Sequence, residues 1–270
     1  MITIPGLENY FGGKGASGTY QTIINEIPPH DNYIEPFLGA GNILRRKLPA
    51  KSINKGLDLD KNIIDIWDKY APGNFDIKQG DGIMLLNSLA AGNHLFNGTT
   101  FIYIDPPYLM SSRKSTKKQY RFELTDTQHE QILRSVTKIN RGEVLPTDKN
   151  IDYIKGRSYT HKNIVTYRPD IFIAISCLEN DMYKEYLKDW RCITFYNQTR
   201  HGQQLEFLYM NYPKPKELHQ YNFLGIDYRE REKIQNQIKR NVTRLKRMNP
   251  LLLNAIVSAI NKEFNNSVKK

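Results

Sequence analysis

The sequence predicts an α/β protein with a doubly wound, mostly parallel sheet of seven strands. Three observations predict it. Short apolar runs rich in β-branched and aromatic residues recur along the chain. Helical stretches separate them, and strand–helix alternation gives parallel sheets. A two-glycine loop, Leu38-Gly39-Ala40-Gly41-Asn42, follows the first run, where open α/β sheets bind ligands.

The elements follow in order. Tyr10-Phe11-Gly12-Gly13-Lys14-Gly15 is a flexible loop with two aromatics and a lysine, and a helix is predicted over 19–26. Residues 32–37 read as the first strand, which runs through the glycine loop into a helix ending near Leu48. Strands over 55–60 and 75–80 alternate with helices over 62–70 and 82–91. The fourth strand is 101–104. Thr125-Asp126-Thr127-Gln128 can cap a helix running to Asn140. Residues 141–170 are polar and lack a period, so they read as an inserted loop or small subdomain. Strand 171–176, helix 181–190 and an antiparallel edge pair, 192–196 with 205–212, complete a body spanning 1–213. In the remaining extension, 214–270, Ile234, Ile238, Val242, Leu245 and Met248 line one face of a basic amphipathic helix, and 251–264 form another.

Composition narrows the function classes. The 270 residues are 39% hydrophobic with a mean hydropathy of −0.60, as expected of a soluble globular protein. No apolar run approaches the roughly 18 residues of a membrane span. The first residues lack the basic and apolar regions of a signal peptide, so a cytoplasmic location is expected. Cys177 and Cys192 have no metal-type spacing and read as buried structural thiols. The formal charge of +11 points to a polyanionic partner, most simply nucleic acid. Residues 214–270 hold 13 Lys/Arg against 5 Asp/Glu, so most of the excess lies there. A second basic cluster is Arg113, Lys114, Lys117, Lys118 and Arg121.

The string Phe101-Ile102-Tyr103-Ile104-Asp105-Pro106-Pro107-Tyr108 carries the most chemistry. An apolar strand ends in an acid, two prolines that stop the strand, and a tyrosine. The Asp105 carboxylate and the Pro106 carbonyl can accept the two N–H bonds of an exocyclic amine, and Tyr108 can stack on a planar base. The glycines of 39–41 let backbone approach a ligand closely. Leu44 stands where a dinucleotide fingerprint wants Gly or Ala, which weakens a nicotinamide reading. Asp58, 17 residues beyond Gly41, can accept ribose hydroxyls, with Asp60 as a fallback. Asp81 can accept from an adenine amine. Each of these three acids could instead cap the helix that follows it. Gly12-Gly13-Lys14-Gly15 is not a P-loop, since Gly15 replaces the Ser or Thr. The six histidines are scattered, His129 within a helix and His201 in a turn, and no metal is expected.

Together these residues resemble the Dam-like adenine-N6 DNA methyltransferases, which use S-adenosylmethionine. Tyr10-Phe11-Gly12-Gly13-Lys14 resembles the family's N-terminal cofactor motif. Glu35-Pro36-Phe37-Leu38-Gly39-Ala40-Gly41 resembles its glycine-rich motif, and Asp58 matches the ribose-binding acid. Asp105-Pro106-Pro107-Tyr108 matches the catalytic motif. Arg113, Tyr120, Glu123 and His129 resemble a stretch that often follows it, and Glu206-Phe207-Leu208-Tyr209-Met210-Asn211-Tyr212 resembles the final strand.

The resemblance implies a Rossmann-like methyltransferase fold and S-adenosylmethionine as cofactor, bound by Tyr10, Phe11, Lys14, Glu35, Phe37, Gly39, Gly41, Asp58, Asp81 and Asp105. It implies catalysis by Asp105, Pro106, Pro107 and Tyr108 on adenine flipped from double-stranded DNA. Candidate DNA contacts are Arg113, Lys114, Lys117, Lys118, Arg121, Arg229, Arg231, Lys239 and Arg240. A cognate restriction endonuclease is a possible partner, and no membrane association is expected. Only 63 residues separate Gly41 from Asp105, too few for the long recognition region of the Dam proteins themselves. Recognition then falls to 109–122, 141–170 or 214–270. The alternatives are cytosine N4 or RNA adenine as substrate, or a non-catalytic nucleic-acid-binding protein. No Pro-Cys dipeptide supplies the thiolate expected for cytosine C5 methylation.

Overall fold

The computed structural model describes residues 2–7, 12–16, 18–92, 97–113, 118–141, 170–199 and 202–267. The 141–170 insert lies outside the described residues except at its two ends. The chain divides into two compact units, Met1–Tyr221 and Asn222–Lys270.

In the first unit, seven strands form one sheet. They are β1 (Asn32–Glu35), β2 (Ile53–Asp58), β3 (Asp76–Gln79), β4 (Thr100–Ile104), β5 (Ile171–Cys177), β6 (Arg191–Thr199) and β7 (Gly202–Met210). Their order is β3-β2-β1-β4-β5-β7-β6. The first five run parallel, while β7 is antiparallel to both β5 and β6. This is the predicted Rossmann-like methyltransferase fold, with its antiparallel hairpin at one edge. Helices α1 (Thr19–Ile24), α2 (Lys61–Tyr70), α3 (Gly82–Ala90), α4 (Asp126–Arg141) and α5 (Asp181–Tyr186) cover the sheet.

Strand alternation divides the buried side chains between two faces. Ile34, Ile102, Ile104, Ile173 and Ile175 pack against Leu86 and Leu89 of α3, Ile132, Leu133 and Val136 of α4, and Tyr183 of α5. On the other face Tyr33 and Phe101, partners in the β1–β4 register, stack at 6.0 Å. The predicted capping box of α4 forms: the Thr125 hydroxyl accepts from Gln128 N, and the Gln128 amide oxygen accepts from Thr125 N.

Four expectations need correction. No α-helix follows the glycine loop; residues 42–46 are turns. Arg45 N and Lys47 N bond to Gly41 O and Ile43 O, but Arg46 N between them also bonds to Ile43 O, which interrupts the i→i−4 ladder, while Leu44 N donates to the Glu35 carboxylate. The predicted 181–190 helix stops at Tyr186. The body extends beyond Pro213, because His219 stacks on buried His30 at 3.9 Å and donates its backbone N–H to Ile27 O. Cys177 is buried as expected, but Cys192, on edge strand β6, is exposed.

The second unit holds α6 (Tyr228–Lys246) and α7 (Pro250–Ser267). Asp227 caps α6 by accepting from Glu230 N. On the expected apolar stripe, Ile238 and Val242 are exposed, while Ile234, Leu245 and Met248 are half-buried. Arg229, Lys239 and Arg240 are exposed, whereas the half-buried Arg231 turns back onto the Gly225 and Ile226 carbonyls. Among the described residues, no helix is long and apolar enough to cross a membrane.

Candidate active site

The strand order reverses between β1 and β4, and such a switch point opens a crevice at the carboxyl ends of the strands. A cleft with about 830 Å³ of empty space, continuous with solvent, lies there. Its walls are the loop 12–14, the segment 35–43, Asp58–Asp60, Gly82, Tyr103, Asp105–Pro107, and the strap 120–122 with Leu124.

The glycine loop is held from below. Gly39 (φ 47°) and Gly41 (φ 57°) adopt left-handed backbone. The Trp67 indole N–H of α2 donates to Gly39 O, and the Asp58 carboxylate accepts from Gly39 N at 2.7 Å. A Cβ on Gly41 would meet the Trp67 ring at 2.4 Å, so the second glycine is needed for packing as well as conformation. Phe37 and Ala40 complete this wall.

The acids separate by role. Asp58 lines the cleft, and its oxygens accept from Gly39 N and Asp60 N. Burial raises its carboxyl above the ordinary value, offset by those two donors. Each oxygen retains a lone pair for a further donor such as a ribose hydroxyl. Asp60 is the N-cap of α2 and pairs with Arg121 of the strap at 2.8 Å. Asp81 caps α3 and is not among the cleft-lining residues. Glu35 is buried on the cleft wall, where it accepts from the Tyr33 hydroxyl and Leu44 N. Burial pushes its carboxyl up to about 8.

Asp105 sits at the end of β4, with its side chain 16% exposed. Both its oxygens accept from the Lys14 ammonium, at 2.7 and 2.8 Å. Burial drives its carboxyl up to about 6, against the pull of Lys14. Lys14 is itself 2% exposed; burial opposes its charge, but Asp105 and Glu206 hold its pKa above the ordinary value. The Tyr108 hydroxyl donates to Glu206 Oε2 at 2.7 Å, and Lys14 Nζ lies 4.9 Å from the Tyr108 ring centroid. Asn197 Nδ2 donates to Glu206 Oε1, and the Thr19 hydroxyl donates to Asn197 Oδ1. The N-terminal loop, α1, β4, β6 and β7 thus meet in one buried polar cluster.

The structure therefore brings together Lys14, Glu35, Phe37, Gly39, Gly41, Asp58, Asp105, Pro106 and Pro107 on the cleft, with Tyr108 buried behind them. Tyr10, Phe11, Lys114 and Lys117 lie outside the described residues. Arg113 is corrected as a DNA contact. Its side chain is 4% exposed and forms two hydrogen bonds with Glu123, and it also donates to the Tyr108 carbonyl. That pair, together with the Gln119 and Tyr120 N–H groups, brings the Glu123 carboxyl down to about 2 despite its burial. Lys118 and Arg121 are exposed as expected. His129 is fully buried on Tyr183, and burial lowers its pKa to about 4.

Sequence reasoning missed the work of Trp67 and Asn197, and took Glu206 only as part of a strand motif. A signal existed for Glu206: it is the one acid in the run 205–212. Among the described residues, no group of three or more His, Cys, Asp or Glu could hold a metal ion.

No protein-family model matches this chain, and a search of curated proteins returns no match. Solved structures similar to it include the precorrin 8W decarboxylase of Methanobacterium thermoautotrophicum. The identity is 12% and the TM-score 0.40, over 73% of this chain and 91% of that one. An O-methyltransferase from Bacillus cereus, in complex with SAH, is similar at 12% identity and TM-score 0.40, over 77% and 84%. A dimethyladenosine transferase from Plasmodium falciparum is similar at 13% and 0.37, over 78% and 63%. The fold assignment rests on the strand order itself.

Proposed function

We propose that this protein transfers the methyl group of S-adenosylmethionine to N6 of an adenine flipped out of double-stranded DNA. One observation carries the reading. Asp105 stands on the wall of the cleft at the switch point of a methyltransferase-type sheet, followed directly by Pro106, Pro107 and Tyr108.

The cleft fits the cofactor. The left-handed glycines hold the loop backbone along the cleft wall, Asp58 can accept ribose hydroxyls, and Glu35 adds a buried carboxyl to the lining. S-adenosylmethionine, when bound, supplies a reactive methyl group on a positively charged sulfur.

The protein's own task is to make a poor nucleophile competent. The adenine amine is weak because its lone pair is delocalised into the ring. Asp105 and the Pro106 carbonyl accept its two hydrogens, which favours a pyramidal nitrogen with a localised lone pair. Tyr108, fixed through its hydroxyl by Glu206 and buried behind the cleft wall, serves as the aromatic platform for the base once its ring is uncovered on substrate entry. The proton lost from nitrogen can pass to Asp105. Positioning and electrostatics supply the acceleration, with no covalent intermediate. Lys118, Arg121, Arg229, Lys239 and Arg240 are the exposed candidates for phosphate contact.

The test is tritiated methyl transfer from S-adenosylmethionine to unmethylated DNA and to RNA, with nucleoside analysis. Label in N6-methyladenine from DNA is expected. Label in N4-methylcytosine or in RNA adenine would move the substrate and keep the chemistry. Cofactor binding without transfer to any of them would leave a non-catalytic nucleic-acid-binding protein.

A further inference from the structure

Lys14 faces two carboxylates at once. Its ammonium holds both oxygens of Asp105, at 2.7 and 2.8 Å, and lies 3.5 Å from Glu206 Oε2. Both Lys14 and Glu206 are 2% exposed, so neither can be compensated by bulk water. Yet the proposed reaction needs the Asp105 oxygens for the substrate amine. Each oxygen keeps a second lone pair, but Lys14 holds both and competes with the substrate for their charge; loosening it frees the stronger acceptor, provided the buried ammonium keeps a carboxylate.

We propose that Glu206 is a positioning residue that takes over Lys14 when the substrate amine reaches Asp105. The inference rests on the methyltransferase reading above. A shift of Lys14 Nζ by under ~1 Å brings it to ordinary hydrogen-bond length from Glu206. The net charge of the cluster, one ammonium with two carboxylates, is unchanged by the exchange. Glu206 is built to stay still: Asn197, itself held by Thr19, anchors Oε1, and the Tyr108 hydroxyl anchors Oε2. The carboxylate that orients the stacking ring is therefore the one that clears the acceptor. An uncharged residue at 206 would leave Lys14 competing with the substrate for Asp105.

The test compares wild type with Glu206→Gln, Lys14→Met and the double variant in steady-state methylation. Gln offers one acceptor oxygen where Tyr108 and Asn197 now use two, so Glu206→Gln loses the charge and one of those two bonds, and the double variant separates the two effects. Glu206→Gln should lower kcat on the order of 100-fold, the cost of a misplaced reacting group. The KM for S-adenosylmethionine should change little. Lys14 also favours the ionised form of Asp105, so adding Lys14→Met to Glu206→Gln should restore activity toward alkaline pH, where Asp105 is ionised without it and the competitor is gone. A purely structural role for Glu206 predicts no such rescue. A double variant no faster than Glu206→Gln at any pH at which it stays folded, or a fully active Glu206→Gln, overturns the exchange while leaving the reaction intact. A wild type that transfers no methyl group overturns the reaction, and the exchange with it. Should Glu206→Gln fail to fold, the wild-type structure with substrate nucleic acid and S-adenosylhomocysteine decides. Lys14 nearer to Glu206 than to Asp105 supports the exchange; Lys14 still on both Asp105 oxygens overturns it.

Discussion

A carboxylate accepts hydrogen bonds far more strongly when ionised, and only then can it take up a proton. Burial puts Asp105 at about 6, so methyl transfer should fall as the pH drops through that value. A pH–rate profile checks this, and Asp105→Ala should lose roughly 100-fold or more in rate. A circular-dichroism melt of that variant should still show a folded protein. Glu35 gives a stability prediction of definite sign. Its folded value of about 8 exceeds the ordinary 4.5, so the folded state holds the proton more tightly. Its contribution is complete below about 4.5 and is lost as the pH rises through about 8. Glu35→Gln should flatten the decline in melting temperature across that window. Asp105 and Tyr108 were legible in the sequence because they share one local string. Glu206 and Asn197 were not, since their partners lie 98 and 178 residues away. Arg113 shows the same limit: sequence displays its charge, but not the turn that folds it inward onto Glu123.

At the scale of elements, local pattern carried most of the fold. Apolar runs marked each strand, and acids or glycines marked their ends. The segment after Gly41 resisted this reading. Its sequence suits a helix, and Arg45 N and Lys47 N do bond to Gly41 O and Ile43 O, but Arg46 N bonds to Ile43 O instead of Asn42 O and the ladder does not continue. Tertiary context there overrides propensity. The loop itself depends on the close approach of α2. Gly41→Ala combines a left-handed φ with a 2.4 Å approach to Trp67, and should cost roughly 1–3 kcal/mol. Thermal unfolding measures that cost. Titration with S-adenosylmethionine should show weaker binding, because the same backbone forms the cleft floor.

For the whole molecule, charge is the dominant quantity. The net +11 is concentrated in the last 57 residues, most of which form the second unit. Lys239 and Arg240 are exposed, so Lys239→Ala with Arg240→Ala should weaken DNA binding. The slope of log K against log salt should become shallower by ~0.9 for each phosphate that is no longer neutralised. Arg231 is bonded to its own turn, and Arg231→Ala should change the slope less. Composition displayed this charge plainly. It could not reveal that residues 214–221 belong with the body, because that attachment rests on a histidine stack between positions 30 and 219.

The polar cluster around Asp105 also sets when the proposed active centre can form. Its members are Lys14 and Thr19 near the start of the body, Asp105 and Tyr108 midway, and Asn197 and Glu206 near its end. A chain leaving the ribosome has synthesised its parallel strands long before β7 exists. Until that last hairpin inserts beside β5, Lys14 lacks its second carboxylate and Tyr108 its anchor. Such distant contacts close late in folding. No nascent or truncated chain ending before Glu206 can hold this centre together, so activity should emerge only with completion of the sheet.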